Sequence, residues 1–340
     1  MKNSVINKIK VVLSATIFLP SICHFLFFYL KFLNGGRESN YPGLRSTAFR
    51  SNGMSLNIAH YLAMKKYAHN QIRNQESNGI LKISEMEISD AGKCLKEFGY
   101  WVAPNPIGEK LLEGYYSAAV ENLFKIKKVE SNSSDIENIA SSWDQDMVNL
   151  ETQWVLDQEL TLDIASSPDI IRIATEYLGV LPVLNHPESW FSFPVKKVSK
   201  GSAKNWHWDC DGIKWLKIFL YINDVNLDNG PHAFVSGSHK NWLVNDRSSR
   251  VSEEQILDAY GQNAIKIFTA PRGTVIFEDT RGFHRGTPLL SNHRLVLEIQ
   301  FNLDSFTLDK SKKIVLPESY SKVFGSSPYI LEYLSKTNYL

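Results

Sequence analysis

The stretch GTVIFEDTRGFHRGTPLLSNHRLVLEIQF, residues 273–301, decides how the second half of the chain folds. Its two ends are rich in β-branched and aromatic residues, and Gly282, Gly286 and Pro288 interrupt the middle, so it reads as strand, turn, strand. His284 falls in the turn and Arg294 heads the second strand. Working upstream, SWFSFPV, WLKIFLYIND and HAFVSG are further short β-rich runs after Val183, separated by Gly, Asn, Asp and Pro. Short strands at close spacing predict a sandwich or barrel. Before Val183 the texture is helical. In SSPDIIRIATEYLGV, Ser167 can cap, Pro168 suits the first turn and Gly179 ends the helix. A second helix runs from Asn105-Pro106 to about Lys127, and the strand Tyr100 to Ala103 precedes it.

The 340 residues are 43% hydrophobic and 21% charged, an ordinary globular balance. The net charge of +1 gives no electrostatic reason to expect nucleic acid as a partner. Cys23, Cys94 and Cys210 are too few and too scattered for a disulfide framework or a zinc ribbon, which fits a reducing, cytoplasmic setting. Near the N-terminus, VVLSATIFLPSICHFLFFYL (residues 11–30) carries no acidic residue, Lys or Arg. About 20 apolar residues suffice to span a bilayer, so residues 1–33 are expected to be a membrane anchor. A signal sequence and a buried soluble helix are the alternatives, and Lys residues on both sides leave the orientation open. The expected organisation is this segment, a connector over 34–85 with a helical patch at Leu56 to Gln71, a catalytic domain over 86–305, and a Lys- and Ser-rich tail over 306–340. Oligomeric state is not legible.

NWHWDCDG, residues 205–212, carries the chemistry. In an extended strand, side chains two apart share a face. His207 and Asp209 then present a nitrogen and a carboxylate to one point, while Trp206, Trp208 and Cys210 face away. Asp211 shares the face of Asp209 and is the alternative carboxylate. A jelly roll brings strand ends to one rim, so His284 supplies a third donor. Two histidines and one carboxylate, with positions left open, indicate non-haem Fe(II) that activates O2. The guanidinium of Arg294 is suited to grip a carboxylate through two parallel hydrogen bonds.

The chain resembles the phytanoyl-CoA dioxygenase family of Fe(II)- and 2-oxoglutarate-dependent oxygenases. The matching elements run in order over about residues 90–305: GYWVAPNPIG, PDIIRIATEYLG, His207-x-Asp209, NGPHAFVSGSHK at 229–240, GTVIF, His284 and Arg294. The resemblance implies a double-stranded β-helix core (mainly β with flanking α) and iron on His207, Asp209 and His284. It also implies 2-oxoglutarate held at its far carboxylate by Arg294, with Phe219 packed beside it. The implied reaction hydroxylates a small organic or lipid-like molecule and releases succinate and CO2. One position departs from the family pattern: Gly286 stands where the family often has Ser, with Thr287 and Thr280 as candidates for the hydroxyl.

Other residues take plainer readings. His232 and His239 are expected to be structural in a turn-rich segment, and His293 to point away from Arg294. Lys196, Lys197, Lys200 and Lys204 form a basic loop, expected to be a solvated face. Trp190, Trp206, Trp208 and Trp215 are core or pocket residues. Two other functions use the same pocket: a jelly-roll module that binds without catalysis, and a zinc-dependent hydrolase. A halogenase of the family lacks the carboxylate, so Asp209 argues against that activity.

Overall fold

A computed structural model of the chain describes residues 19–34, 43–67, 80–81, 83–104, 107–127, 136, 146–185, 187–195, 202–240, 243 and 250–306. The expected Lys- and Ser-rich tail beyond residue 306 lies outside the described residues, as do Lys196, Lys197, Lys200 and residues 11–18.

Two antiparallel sheets form the core. Strands β1 (Tyr100–Val102), β2 (Met147–Asn149), β3 (Val183–Leu184), β4 (Glu188–Ser192), β6 (Trp215–Tyr221), β10 (Val275–Glu278) and β12 (Arg294–Asn302) make the larger sheet, in the order β1-β10-β6-β12-β4-β2 with β3 beside β12. Strands β5 (Trp206–His207), β7 (His232–Val235), β8 (Arg250–Val251), β9 (Ile265–Phe268) and β11 (His284–Gly286) make the smaller one, in the order β8-β5-β11-β7-β9. Consecutive strands from β4 to β7 and from β9 to β12 alternate between the sheets. That alternation is a double-stranded β-helix, as expected. His284, expected in a turn, opens the short strand β11.

The period-two pattern of the larger sheet sorts its side chains. Leu216, Ile218 and Leu220 of β6, Val275 and Phe277 of β10, and Leu295, Leu297, Ile299 and Phe301 of β12 join one apolar cluster with the helices. These helices are α4 (Glu85–Phe98), α5 (Glu109–Lys127), α6 (Thr152–Leu156), α7 (Glu159–Ala165) and α8 (Pro168–Leu178). The intervening residues Lys217, Phe219, Glu298 and Arg294 line a cavity on the other face of the sheet. All nine residues of β12 are buried, so its charged positions are inside the protein rather than on a wet face. Burying a Leu or Phe stabilises the fold by roughly 1.5–3 kcal/mol, which holds the helical layer in place.

Local signals fix the helix ends. Ser84 and Glu87 form a capping box at the start of α4, and Gly99 ends it with φ 88°. Pro168 opens α8 and Gly179 closes it in the left-handed region. Ser167 precedes α8 but makes no side-chain cap hydrogen bond. A Cβ at Gly92 of α4 would lie 2.4 Å from Glu176 Cγ on α8, so the absent side chain permits the close approach of these helices.

The N-terminal segment packs on this body. Helices α1 (Leu19–Leu33), α2 (Leu44–Arg50) and α3 (Met54–Tyr67) fall in the described parts of the hydrophobic run and the expected connector. Phe25, Tyr29 and Leu33 are buried with Leu44, Ala48, Ala59 and Ala63, and also with Val180, Ile213, Leu303 and Phe306 of the body. Tyr29 donates a hydrogen bond to Asp304 Oδ2 at 2.5 Å. No helix among the described residues is long and apolar enough to cross a membrane, so the expected anchor finds no support in them.

Candidate active site

His207 and His284 are directly opposed in the pairing of β5 with β11, and their ring centroids lie 4.2 Å apart. Asp209 follows β5, where its backbone N–H donates to the Thr280 carbonyl at 2.8 Å. The donor atoms of His207, Asp209 and His284 all lie within 4.8 Å of one another. Each imidazole is oriented by its own backbone: His207 Nδ1 to the Asn205 carbonyl at 2.9 Å, His284 Nδ1 to the Gly282 carbonyl at 3.0 Å. A carbonyl only accepts, so Nδ1 carries the proton and Nε2 turns its lone pair inward, the tautomer a metal requires. Trp206, Trp208 and Cys210 pack on the far side with Val251 and Ile256 of the smaller sheet's outer layer, as the alternation predicts.

The electrostatics set a carboxylate beside one neutral imidazole, His207, and one raised imidazole, His284, where Asp209 outweighs the lowering effect of burial. Burial and the neighbouring His284 hold His207 well below its ordinary value. Burial works against ionisation of Asp209, but Lys217 and His284 outweigh it and keep the carboxyl well below the usual carboxylate range. Lys217 Nζ lies 3.1 Å from Asp209, 3.2 Å from Asp211 and 3.2 Å from Glu298. Asp211 is thus gathered onto the ammonium rather than with the imidazoles. The sequence reading gave Lys217 no part in holding this carboxylate; its one signal is a charge in the middle of the apolar strand WLKIFLY.

Arg294 is 5% exposed. Its guanidinium donates to the Gly230 carbonyl and, at 3.5 Å, to Ser192 Oγ, its cross-strand neighbour. Among the described residues no carboxylate pairs with it, and its Nε has no partner. A buried cation without a counter-charge is costly, so this geometry fits an anionic ligand from outside the chain. Gly286 keeps that approach open: a Cβ there would stand 2.6 Å from Arg294 Nη2. Neither candidate hydroxyl reaches Arg294. Thr280 accepts from Trp215 Nε1 at 2.8 Å, and Thr287 donates to the Pro231 carbonyl at 2.9 Å. Ser192 is the neighbouring hydroxyl, visible only once β4 is set beside β12.

A cavity of about 350 Å³ joins these groups, and Phe219, His232, Lys204 and Trp190 also line it. His232, expected to be structural, opens β7, packs 4.8 Å from the Phe219 ring and bonds both oxygens of buried Glu278 at 2.9 and 3.0 Å. One expectation is corrected here. Lys204, expected on a solvated face, is 6% exposed and donates to the Phe193 carbonyl at 2.8 Å; burial lowers its ammonium to about 8. His239 and His293 meet Lys96 O and Tyr116 Oη, at 3.3 and 3.0 Å, away from the cavity lining.

No family model matches the chain, and no curated protein matches it. Among solved structures, it is similar to the non-heme alpha ketoglutarate dependent carbocyclase SnoK from nogalamycin biosynthesis, at 17% identity and TM-score 0.45, covering 67% of this chain and 87% of that one. It is also similar to EctD from S. alaskensis with 2-oxoglutarate and 5-hydroxyectoine, at 16% identity and TM-score 0.45, covering 72% of this chain and 85% of that one. A third is the epimerase SnoN in complex with Fe3+, alpha ketoglutarate and nogalamycin RO, at 17% identity and TM-score 0.44, covering 64% and 84%.

Proposed function

We propose that the chain is an Fe(II)- and 2-oxoglutarate-dependent dioxygenase of the phytanoyl-CoA dioxygenase type. The observation that carries this reading is one cavity holding both the convergent His207, Asp209 and His284 donors and the unpartnered guanidinium of Arg294. His207, Asp209 and His284 would hold the iron, since two imidazoles and one carboxylate suit that ion and leave positions open. Arg294 would hold the distal carboxylate of 2-oxoglutarate, with the Phe219 ring packed beside it. When bound, the iron and 2-oxoglutarate supply O2 activation, and the products are hydroxylated substrate, succinate and CO2.

The protein's own part is orientation and charge. Backbone carbonyls fix both imidazoles, and Lys217 keeps Asp209 ionised. Charged side chains outnumber apolar ones along the described lining, which supports a small polar substrate over a fatty acyl chain. A zinc-dependent hydrolase shares the donor set, but Arg294 has no task in it. A non-catalytic module has no need of either.

The test is anaerobic purification, loading with Fe(II), and measurement of O2 uptake and succinate release with 2-oxoglutarate. The expected result is Fe(II)-dependent succinate formation that Zn(II) does not support. Tight metal binding with no succinate under any substrate screened would overturn the reading.

A further inference from the structure

A second cavity, of about 220 Å³, shares no lining residue with the first. It lies where the N-terminal helices meet the body. Asn57 of α3, Lys96 of α4, Tyr177 of α8, Lys214 before β6, Lys240 after β7 and Arg281 before β11 converge on it. Four of these six side chains are cationic, and their charges divide into two kinds. Arg281 is balanced by Asp279 at 2.5 Å, and Lys96 by Glu176 at 3.0 Å. Lys214 and Lys240 have no carboxylate partner among the described residues.

Lys214 is the more telling. It is 8% exposed, and among the described residues its Nζ donates to the Tyr177 carbonyl alone, at 2.6 Å, while lying 4.0 Å from the centre of the Tyr177 ring. A buried ammonium with one neutral acceptor has unused donors, and Asp279 acts on it only from beyond ion-pair distance, so an anion in the cavity would complete it. Burial and the nearby Arg281 accordingly lower it to about 7.

We propose that this cavity binds a small phosphate-bearing dianion. The −1.5 to −2 of a phosphate group near neutrality would draw buried Lys214 to its charged form and pair with exposed Lys240, and lysine meets phosphate as a point charge. Lys214 forms the base of the site and exposed Lys240 its rim. The Asn57 amide at the cavity wall is a further polar group. A bound anion bridges the first turns of α3 to the loop that leads, three residues later, into His284.

Thermal unfolding of the full chain tests it, with sodium phosphate, glycerol 3-phosphate and succinate each compared with sodium chloride at matched ionic strength. The variant Arg294→Ala runs alongside, so that binding at the active-site guanidinium is recognised. Both phosphates should raise the Tm by a few degrees in a saturable manner, in the wild-type chain and in Arg294→Ala alike. Lys214→Met should abolish the rise, and Lys240→Glu should weaken it; the second variant is at the rim and serves if the first does not fold. A larger rise with glycerol 3-phosphate upholds the site and identifies a phosphorylated metabolite as occupant, whereas equal rises uphold it with phosphate itself. No saturable rise, an equal rise with succinate, or a rise lost in Arg294→Ala and kept in the lysine variants overturns the proposal.

Discussion

Lys217 Nζ stands 3.1 Å from Asp209 Oδ2, so the carboxylate turned toward the two imidazoles is already held by a buried ammonium. The same ammonium meets Asp211 and Glu298, making one cation the hub of three acids. Burial pushes Glu298 up to about 7, so this group of charges is finely balanced. Lys217→Met leaves the acids facing one another without a cation. Breaking a buried pair in this way costs about 3–5 kcal/mol. Urea unfolding should show that loss in metal-free protein, and a divalent ion such as Mn(II) should restore part of it by supplying the missing positive charge. An unchanged midpoint would show that the hub carries no stability.

Asp209 and Asp211 separate by position. Asp209→Ala removes the carboxylate that, among the described residues, groups with His207 and His284, and should abolish Fe(II)-dependent succinate release. Asp211→Asn leaves that group intact and should retain most of the activity, with a modest shift in stability through Lys217. Activity lost equally in both variants would mean the carboxylates are interchangeable.

Arg294→Ala should raise the KM for 2-oxoglutarate, because a charge-assisted hydrogen bond contributes about 1.5–3 kcal/mol, on the order of 10–100-fold. Lys should rescue only in part, lacking the planar fork. Gly286→Ser should also raise this KM. Its Cβ would stand 2.6 Å from Arg294 Nη2 and must push the guanidinium aside. Steady-state kinetics at varied 2-oxoglutarate decides; a lower KM in Gly286→Ser would mean that the added hydroxyl binds cosubstrate.

The N-terminal helix enters the stability of the whole. Burial raises Asp304 from 3.8 to about 6, while the Tyr29 hydroxyl bond opposes that rise. A folded-state value above the unfolded one means protonation favours the fold. This contribution is full below about pH 4, is lost as pH rises to about 6, and is flat above that. Tyr29→Phe removes the opposing bond and should steepen the fall of Tm between pH 5 and 8. Deleting residues 1–33 should lower the Tm by several degrees, since Phe306, Leu303 and Ile213 lose their cover. Equal Tm profiles for wild type and both variants would show that α1 contributes nothing.

What the sequence determined by itself is local. Alternation in NWHWDCDG set His207 and Asp209 on one side and the tryptophans on the other, and Pro168 and Gly179 marked helix ends, because backbone geometry acts over a few residues. Arg294 at a strand head was legible for the same reason. Tertiary structure alone decided which strands pair, and with that the meeting of His207 with His284 and the placing of Ser192 beside Arg294. It also set Lys217 and Glu298 inside the cavity lining and packed the helix Leu19–Leu33 on Phe306. These are contacts between distant segments. A residue's own neighbours in sequence fix which side of a strand it occupies, but not what stands opposite, because that depends on the register chosen when the whole core closes.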